Sequence, residues 1–294
     1  MILRYKKGID EKSMLESKSV CHQGKVRERN EDSCVASETL GLWLIADGVG
    51  GNGNGDVASQ LATQTIERKI RQGSELASAI TGANTAIEQA IESDESLSNM
   101  ATTIVACRFD HHRFELAWVG DSRAYLIDAS GISQISSDHN LAASLYERGE
   151  LTREQANRHS GQHELTQALG QMTLNNVPIS LGELHDGDFL LLCTDGLSGV
   201  LSDQQLYQII HQADSIEVAC ERLLQRVLES GAPDNVTFSL IQYRNDEAPI
   251  EASDFKTRSF RLPFDRTPYM AHSKSRPMLL VIILISIVSM LLFI

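Results

Sequence analysis

Arg27, Glu31, Asp32, Asp47, Asp121, Asp195 and Asp234 are the residues from which chemistry could be built. The carboxylates share a placement, at one end of an apolar run and often beside a glycine. Asp47 follows Leu42-Trp43-Leu44-Ile45-Ala46 and precedes a glycine-rich stretch from Gly48 to Gly55. Asp121 follows Val119-Gly120. Asp195 follows Leu190-Leu191-Leu192-Cys193-Thr194 and precedes Gly196. Asp234 opens an apolar run with Asn235 beside it, and Glu31-Asp32 stand before another. Any one of these is explained as a turn or cap residue. Several that meet would repel one another unless protonated or bound to cations. Oxygen donors without Cys or His spacing suit hard ions, Mg²⁺ or Mn²⁺. The glycines after Asp47 let the backbone turn closely and offer a bare carbonyl oxygen as a further donor. Arg27, four residues before Glu31, supplies a planar fork for a phosphate. Two cations and an arginine are equipment for phosphoryl transfer to water.

Length and charge narrow the setting. The chain has 294 residues and a net charge of -13, which excludes a phosphate-gripping nucleic-acid binder. Such acidity suits a site that concentrates divalent cations. The five cysteines (Cys21, Cys34, Cys107, Cys193, Cys220) are scattered, with no C-x-x-C pair, zinc spacing or disulfide framework. Three lie in strand-like runs, where a thiol behaves as a small apolar side chain, and a reducing compartment is the simpler expectation.

Apolar periodicity gives the elements that must position these groups. Residues 1–17 read as a charged arm. Strands are expected at Ser19–His22, Ser33–Ala36, Leu42–Ala46, Thr102–Phe109, Phe114–Val119, Ala124–Ile127, Val177–Leu181, Phe189–Cys193 and Asn235–Tyr243. Helices are expected at Asp56–Arg71, with Val57, Leu61, Thr65 and Ile66 on one face, and at Ser74–Ser93, Asp203–Gln212 and Ile216–Glu229. A polar, partly helical segment joins them from His139 to His163. The three strands between Thr102 and Ile127 read as a meander of hairpins. Elements in blocks, without strict alternation, indicate α+β with antiparallel sheets. From Arg244 the composition shifts to a proline-containing basic linker, 244–276. Residues 277–294 then run uncharged, interrupted only by Ser286 and Ser289. At ~1.5 Å per residue they reach roughly 27 Å, near a bilayer's apolar thickness. Lys274 and Arg276 precede them, so a single-pass tail anchor in the inner membrane with a cytoplasmic main domain is expected.

The motifs Arg27-x-x-Asn30-Glu31-Asp32, Asp47-Gly48-x-Gly50-Gly51, Met100-Ala101-Thr102-Thr103, Gly120-Asp121-Ser122-Arg123, Asp138-His139, Thr194-Asp195-Gly196 and Asp234-Asn235 occur in this order. As an ordered set over residues 18–243, they resemble the bacterial metal-dependent Ser/Thr protein phosphatases of the protein phosphatase 2C type. The resemblance implies a β-sandwich of two antiparallel sheets flanked by helices. It implies Asp47 bridging two Mn²⁺ or Mg²⁺ ions with the Gly48 carbonyl on one, Asp195 and Asp234 on the other, and Glu31 and Asp32 holding waters or coordinating directly. Asp121 with Asp195 matches a third, weaker site, and Arg27 binds the substrate phosphate. The implied reaction is hydrolysis of phosphoserine or phosphothreonine in proteins by hydroxide bridging two cations, attacking in line. The implied partners are phosphorylated substrates of a Ser/Thr kinase, met at a membrane.

Departures from the pattern fall away from the ligands: Val49 where bacterial relatives usually carry Met, Asn52 for His, Asp56 for Glu, Ala101 for Gly, His22 for Asp. Val49 cannot donate a proton, which leaves any leaving-group protonation to water. A cysteine phosphatase built on Cys193 would need an arginine five residues on, and position 198 is Ser. His139 reads better as a loop residue than as a base. A phosphoprotein-binding module without turnover would show eroded ligands, and none is missing. A metal-dependent phosphodiesterase is the remaining rival.

Overall fold

The computed structural model describes residues 13–50, 53–171, 174 and 176–245. The start of the expected arm, Gly51 and Asn52, nearly all of the linker and the whole of the apolar tail lie outside the described residues.

Eleven strands are described: β1 (Ser13–His22), β2 (Asp32–Ser37), β3 (Leu42–Val49), β4 (Ala101–Thr102), β5 (Ile104–Asp110), β6 (Arg113–Val119), β7 (Arg123–Asp128), β8 (Gly131–Gln134), β9 (Ile179–Glu183), β10 (Phe189–Cys193) and β11 (Val236–Asn245). They form two antiparallel sheets. One runs β1-β11-β10-β7-β8; the other runs β2-β3-β5-β6-β9, with β4 also paired to β3. Helices α1 (Gly55–Arg71) and α2 (Leu76–Ser93) cover the second sheet. Short helices α3 (Leu141–Glu147), α4 (Arg153–Ala156) and α5 (Asp195–Ser198) precede α6 (Asp203–His211) and α7 (Ile216–Glu229), and the last two cover the first sheet. Trp43, Ile45, Val105, Leu116, Leu190, Leu192 and Ile241 fill the space between the sheets. The four-layer α-β-β-α arrangement agrees with the expected fold class. No helix among the described residues is long and apolar enough to cross a membrane.

Local chemistry accounts for the well-placed elements. Helix α6 opens with a capping box, Ser202 and Gln205 each satisfying the other's backbone N–H. Helix α7 opens on Ser215, whose hydroxyl accepts the Val218 N–H. On α1 the buried face is Ala58, Ala62, Ile66 and Ile70, whereas Val57 is 38% exposed. Small alanines let α1 lie close on the sheet, which turns the face away from the expected Val57.

Three further expectations are corrected. Strand β1 starts at Ser13, inside the segment expected to be an arm, and pairs along its whole length with β11. Strand β3 continues through Asp47 to Val49, because β4 pairs with Gly48 and Val49. The meander breaks after β6: β5 and β6 form a hairpin in one sheet, but β7 belongs to the other. The chain changes sheets at Gly120, whose φ of +106° is open to glycine and strained for other residues.

Candidate metal centre

The strand registers bring the carboxylates together. His22, the last residue of β1, stands opposite Val236, the first of β11. Cys193 ends β10 opposite Arg123, which starts β7, and Ile104 starts β5 opposite Val119, which ends β6. Every loop that carries a candidate ligand therefore leaves the sandwich at the same end. Distant sequence positions become neighbours through antiparallel pairing alone.

Asp47 sits at the middle of this end. Across the ladder it stands directly opposite Asp32, so the two carboxyls share a face at the spacing of a cross-strand pair, where like charges destabilise. On its other side the ladder is interrupted at Thr103, between β4 and β5. The Asp47 N–H donates to Thr103 Oγ1 at 3.1 Å, and its carbonyl accepts from the Thr103 N–H and the Thr102 hydroxyl. Thr103 Oγ1 lies 2.7 Å from Ser122 Oγ, tying Asp47 to the loop that bears Asp121. The Thr102-Thr103 and Ser122 positions of the motifs thus clamp backbone and carry no charge themselves.

Asp32 is 7% exposed and accepts from the Thr194 hydroxyl at 3.1 Å. Thr194 is in turn fixed against Thr237. The next residue, Asp195, opens α5 within hydrogen-bonding reach of Asp47. Gly196 allows this approach: a Cβ there would fall 1.7 Å from the Asn235 carbonyl oxygen.

Arg27 and Asp234 form an ion pair at 2.7 Å, with side chains 50% and 33% exposed. Asp234, Glu31 and Asp47 together raise the Arg27 pKa above its ordinary value. Asn235 holds the loop that delivers Arg27. Only 4% exposed, it accepts the Glu31 N–H at 2.9 Å and donates to the carbonyls of Gln23 and Arg29 at 2.7 and 2.9 Å. The Glu31 carbonyl accepts the Gly48 N–H and the Ser59 hydroxyl. All the expected residues, Arg27, Glu31, Asp32, Asp47, Gly48, Asp121, Asp195 and Asp234, therefore lie about one cleft. Asn235 as the clamp of that cleft is a role sequence reasoning missed, although the Asp234-Asn235 motif marked the position.

Electrostatics describe the same cleft. Burial, then repulsion from Asp32, Asp195, Asp121 and Asp234, pushes the Asp47 carboxyl well above the usual range. Burial lifts Asp32 to about 7 against the hydrogen bonds from Thr237 and Thr194, and lifts Asp121 to about 7 with help from Asp195 and Asp138. Asp195 is raised mainly by burial and by Asp234. The donor set is oxygen-only and over-supplied with negative charge, which fits hard divalent cations. Among the described residues no three His, Cys, Asp or Glu side chains are drawn together closely enough to encircle an ion.

Two residues near the cleft have structural duties. His139 Nδ1 accepts the Gly120 N–H at 3.1 Å, which occupies the nitrogen a base would need. Arg123 meets Asp138 through a forked contact, 3.0 Å from Nε and 2.6 Å from Nη2. Beyond them a cavity of about 760 Å³ opens between α3, α4 and α5, with Asp121 and Asp195 on its wall.

Known proteins resemble this chain over most of the described residues. The family model for protein phosphatase 2C matches residues 22–240. The serine/threonine protein phosphatase PstP of Mycobacterium tuberculosis is 34% identical over 221 residues, covering 73% of this chain and 42% of PstP. The chain thus spans less than half of that relative's length. The serine/threonine phosphatase stp of Listeria monocytogenes is 29% identical over 233 residues, covering 75% of this chain and 92% of the relative. Among solved structures, the PstP catalytic domain in complex with two manganese ions superposes with a TM-score of 0.71 at 30% identity, covering 79% of this chain and all of that one.

Proposed function

The chain belongs to the protein phosphatase 2C family, and from that premise we propose that it is a metal-dependent hydrolase of phosphoserine and phosphothreonine in proteins. The observation that carries this reading is the meeting of Asp47 with Asp32, Asp195, Asp121 and Asp234 beside Arg27. Asp47, with the Gly48 carbonyl, Asp195 and Asp234, would hold two Mn²⁺ or Mg²⁺ ions; Glu31 and Asp32 would support them, and Asp121 would serve a third. Bound divalent cations supply Lewis-acid stabilisation of phosphoryl charge and a water acidic enough to attack at neutral pH.

The chain's own residues do the rest. Arg27 presents its guanidinium at the rim, where a phosphate can accept two parallel hydrogen bonds. Its ion pair with Asp234 orients it in advance and partners it when no substrate is bound. Thr102, Thr103, Ser122 and Thr194 fix backbone and carboxylates, so little reorganisation accompanies the reaction. Val49 offers no proton, which leaves any protonation of the leaving alkoxide to water.

We place the domain boundary near residue 243, followed by a linker and a membrane-spanning segment at 277–294. Tethering at the inner membrane raises the effective concentration toward membrane-bound phosphoproteins. Deleting 277–294 should leave turnover unchanged and move the protein to the soluble fraction; a truncated form still sedimenting with membranes contradicts the anchor.

The test of the activity is hydrolysis of a phosphothreonine peptide, a phosphodiester and p-nitrophenyl phosphate with Mn²⁺. The expected result is phosphomonoester turnover abolished by EDTA and by Asp47→Asn. A folded, Mn²⁺-replete protein inert on all three would overturn the enzyme reading, and preferred diester cleavage would favour a phosphodiesterase.

A further inference from the structure

Cys21 and Cys34 meet at an edge of the sandwich, where β1 and β2 are outermost strands of the two different sheets. Cys21 stands opposite Thr237, on the side of β1 from which Leu15 packs against the inter-sheet core. Cys34 packs against the same core from β2. The two thiols are near enough to perturb each other, and Cys34 is the largest single influence on Cys21. Cys21 Sγ also accepts from Asn30 Nδ2 at 3.1 Å and from Thr237 Oγ1 at 3.4 Å. These two donors converging on one sulfur stabilise it as the anion. Cys21 is exposed, with Cys34 half-buried behind it, whereas Cys107, Cys193 and Cys220 are buried.

We propose that Cys21 and Cys34 form an oxidisable dithiol, a modification site at which a peroxide converts the pair to a disulfide. The Cys21 sulfur attacks one peroxide oxygen, the O–O bond breaks, and the departing hydroxide takes a proton to become water. Cys34 Sγ then displaces the hydroxyl of the resulting sulfenic acid as a second water, closing the S–S bond. Two thiols lose two electrons and two protons, and one peroxide becomes two waters. The hydrogen bonds to Cys21 favour the attacking form: the bond from Cys34, ahead of those from Thr237 and Asn30, holds its thiol down to about 6 against the cost of burial.

The site is wired to the metal centre. Asn30 Oδ1 accepts the Asp32 N–H at 3.2 Å. The Thr237 N–H donates to Thr194 Oγ1 at 3.2 Å, and Thr194 holds the Asp32 carboxylate. Drawing Cys21 Sγ onto Cys34 deprives Asn30 and Thr237 of their acceptor and loosens both supports of Asp32. This consequence rests on the phosphatase reading; the disulfide does not.

The experiment exposes the full chain to hydrogen peroxide, alkylates free thiols, and maps peptides by mass spectrometry without reduction. Phosphothreonine-peptide hydrolysis is followed in parallel, before and after dithiothreitol. The expected result is a Cys21–Cys34 cross-linked peptide ahead of any other. Hydrolysis should fall about threefold to tenfold, the scale of one or two lost hydrogen bonds, and dithiothreitol should restore it. Cys34→Ser should keep reduced-state hydrolysis and stop at a dimedone-trappable Cys21 sulfenic acid. Both thiols remaining alkylatable, or disulfides among other cysteines forming equally fast, would overturn the site. A cross-link that leaves hydrolysis unchanged would overturn its coupling to Asp32. Protein inert even when reduced counts against the phosphatase reading alone, because the peptide map decides the dithiol independently.

Discussion

Asn235→Ala isolates the clamp from the charges it serves. The amide makes three hydrogen bonds, to the Glu31 N–H and to the carbonyls of Gln23 and Arg29, all between 2.7 and 2.9 Å. At about 1 kcal/mol net each, their loss would cost roughly 3 kcal/mol. Gln23 and Arg29 are exposed, so water can reach those carbonyls once the loop relaxes, and about 2–3 kcal/mol is the expected destabilisation. For a domain of this size that corresponds to a fall in melting temperature of roughly 5–10 °C. The chain should therefore fold, but Arg27 would no longer be presented at a fixed place. Misplacement of a positioning group by about 1 Å can cost 10²-fold, so kcat/KM on a phosphothreonine peptide should drop by about tenfold to a hundredfold. Asn235→Asp sharpens the test. It keeps an acceptor for Glu31 but loses both donors and adds charge beside Asp234, so it should be at least as damaging despite its size. Melting curves and steady-state hydrolysis with Mn²⁺ measure both quantities. A variant of either kind with unchanged stability and turnover would refute the clamp.

Removing Arg27 itself as Arg27→Ala should chiefly raise KM, with little change in melting temperature, since its pair with Asp234 is exposed and contributes at most about 1 kcal/mol. Breaking the Arg123–Asp138 fork with Arg123→Ala should cost about 3 kcal/mol, because it leaves Asp138, 11% exposed, with Gln134 as its remaining hydrogen-bond donor; chemical denaturation reads this directly. Metal-free protein should lose stability as pH rises. Asp32 and Asp121 are lifted from 3.8 to about 7 in the fold, so the folded chain holds their protons more tightly than the unfolded chain between those values. Melting curves with and without Mn²⁺ should accordingly differ more near pH 8 than near pH 5, and equal differences would contradict the clustering. Gly196→Ala should unfold or grossly destabilise the protein, since its Cβ would overlap the Asn235 carbonyl oxygen, and circular dichroism detects this.

Much of the architecture was legible where apolar runs and capping residues agree. Strand β10 and helix α7 have the expected limits, Phe189–Cys193 and Ile216–Glu229, because continuous Leu and a Ser215 cap leave few alternatives. The carboxylates were legible because each stands in the sequence beside an apolar run of strand length. What was not legible is set by pairing between distant segments. Ser13-Met14-Leu15-Glu16-Ser17 carries too little apolar alternation to announce a strand, and becomes one through β11. Asp47 lies inside β3 because Asp32 of β2 stands opposite it and Thr102 and Ala101 pair with the next two residues. Gly120 marks a turn in sequence but does not say that the next strand joins the other sheet. Helix α5 is a single turn, too short for periodicity to reveal. Asn235 and Cys21 gain their roles from partners brought in from elsewhere in the chain; the Asp234-Asn235 motif marks a position without revealing the clamp, and Cys21 carries no local signal.

Anomalous diffraction at the manganese edge, from crystals of the full chain grown with Mn²⁺, tests the central claim most directly. The account predicts at least two peaks within coordination distance of Asp47, with the others of the set, Asp195 and Asp234 first among them, completing the shells. Peaks elsewhere, or none at Asp47 in crystals of protein that turns over phosphopeptide, would contradict it.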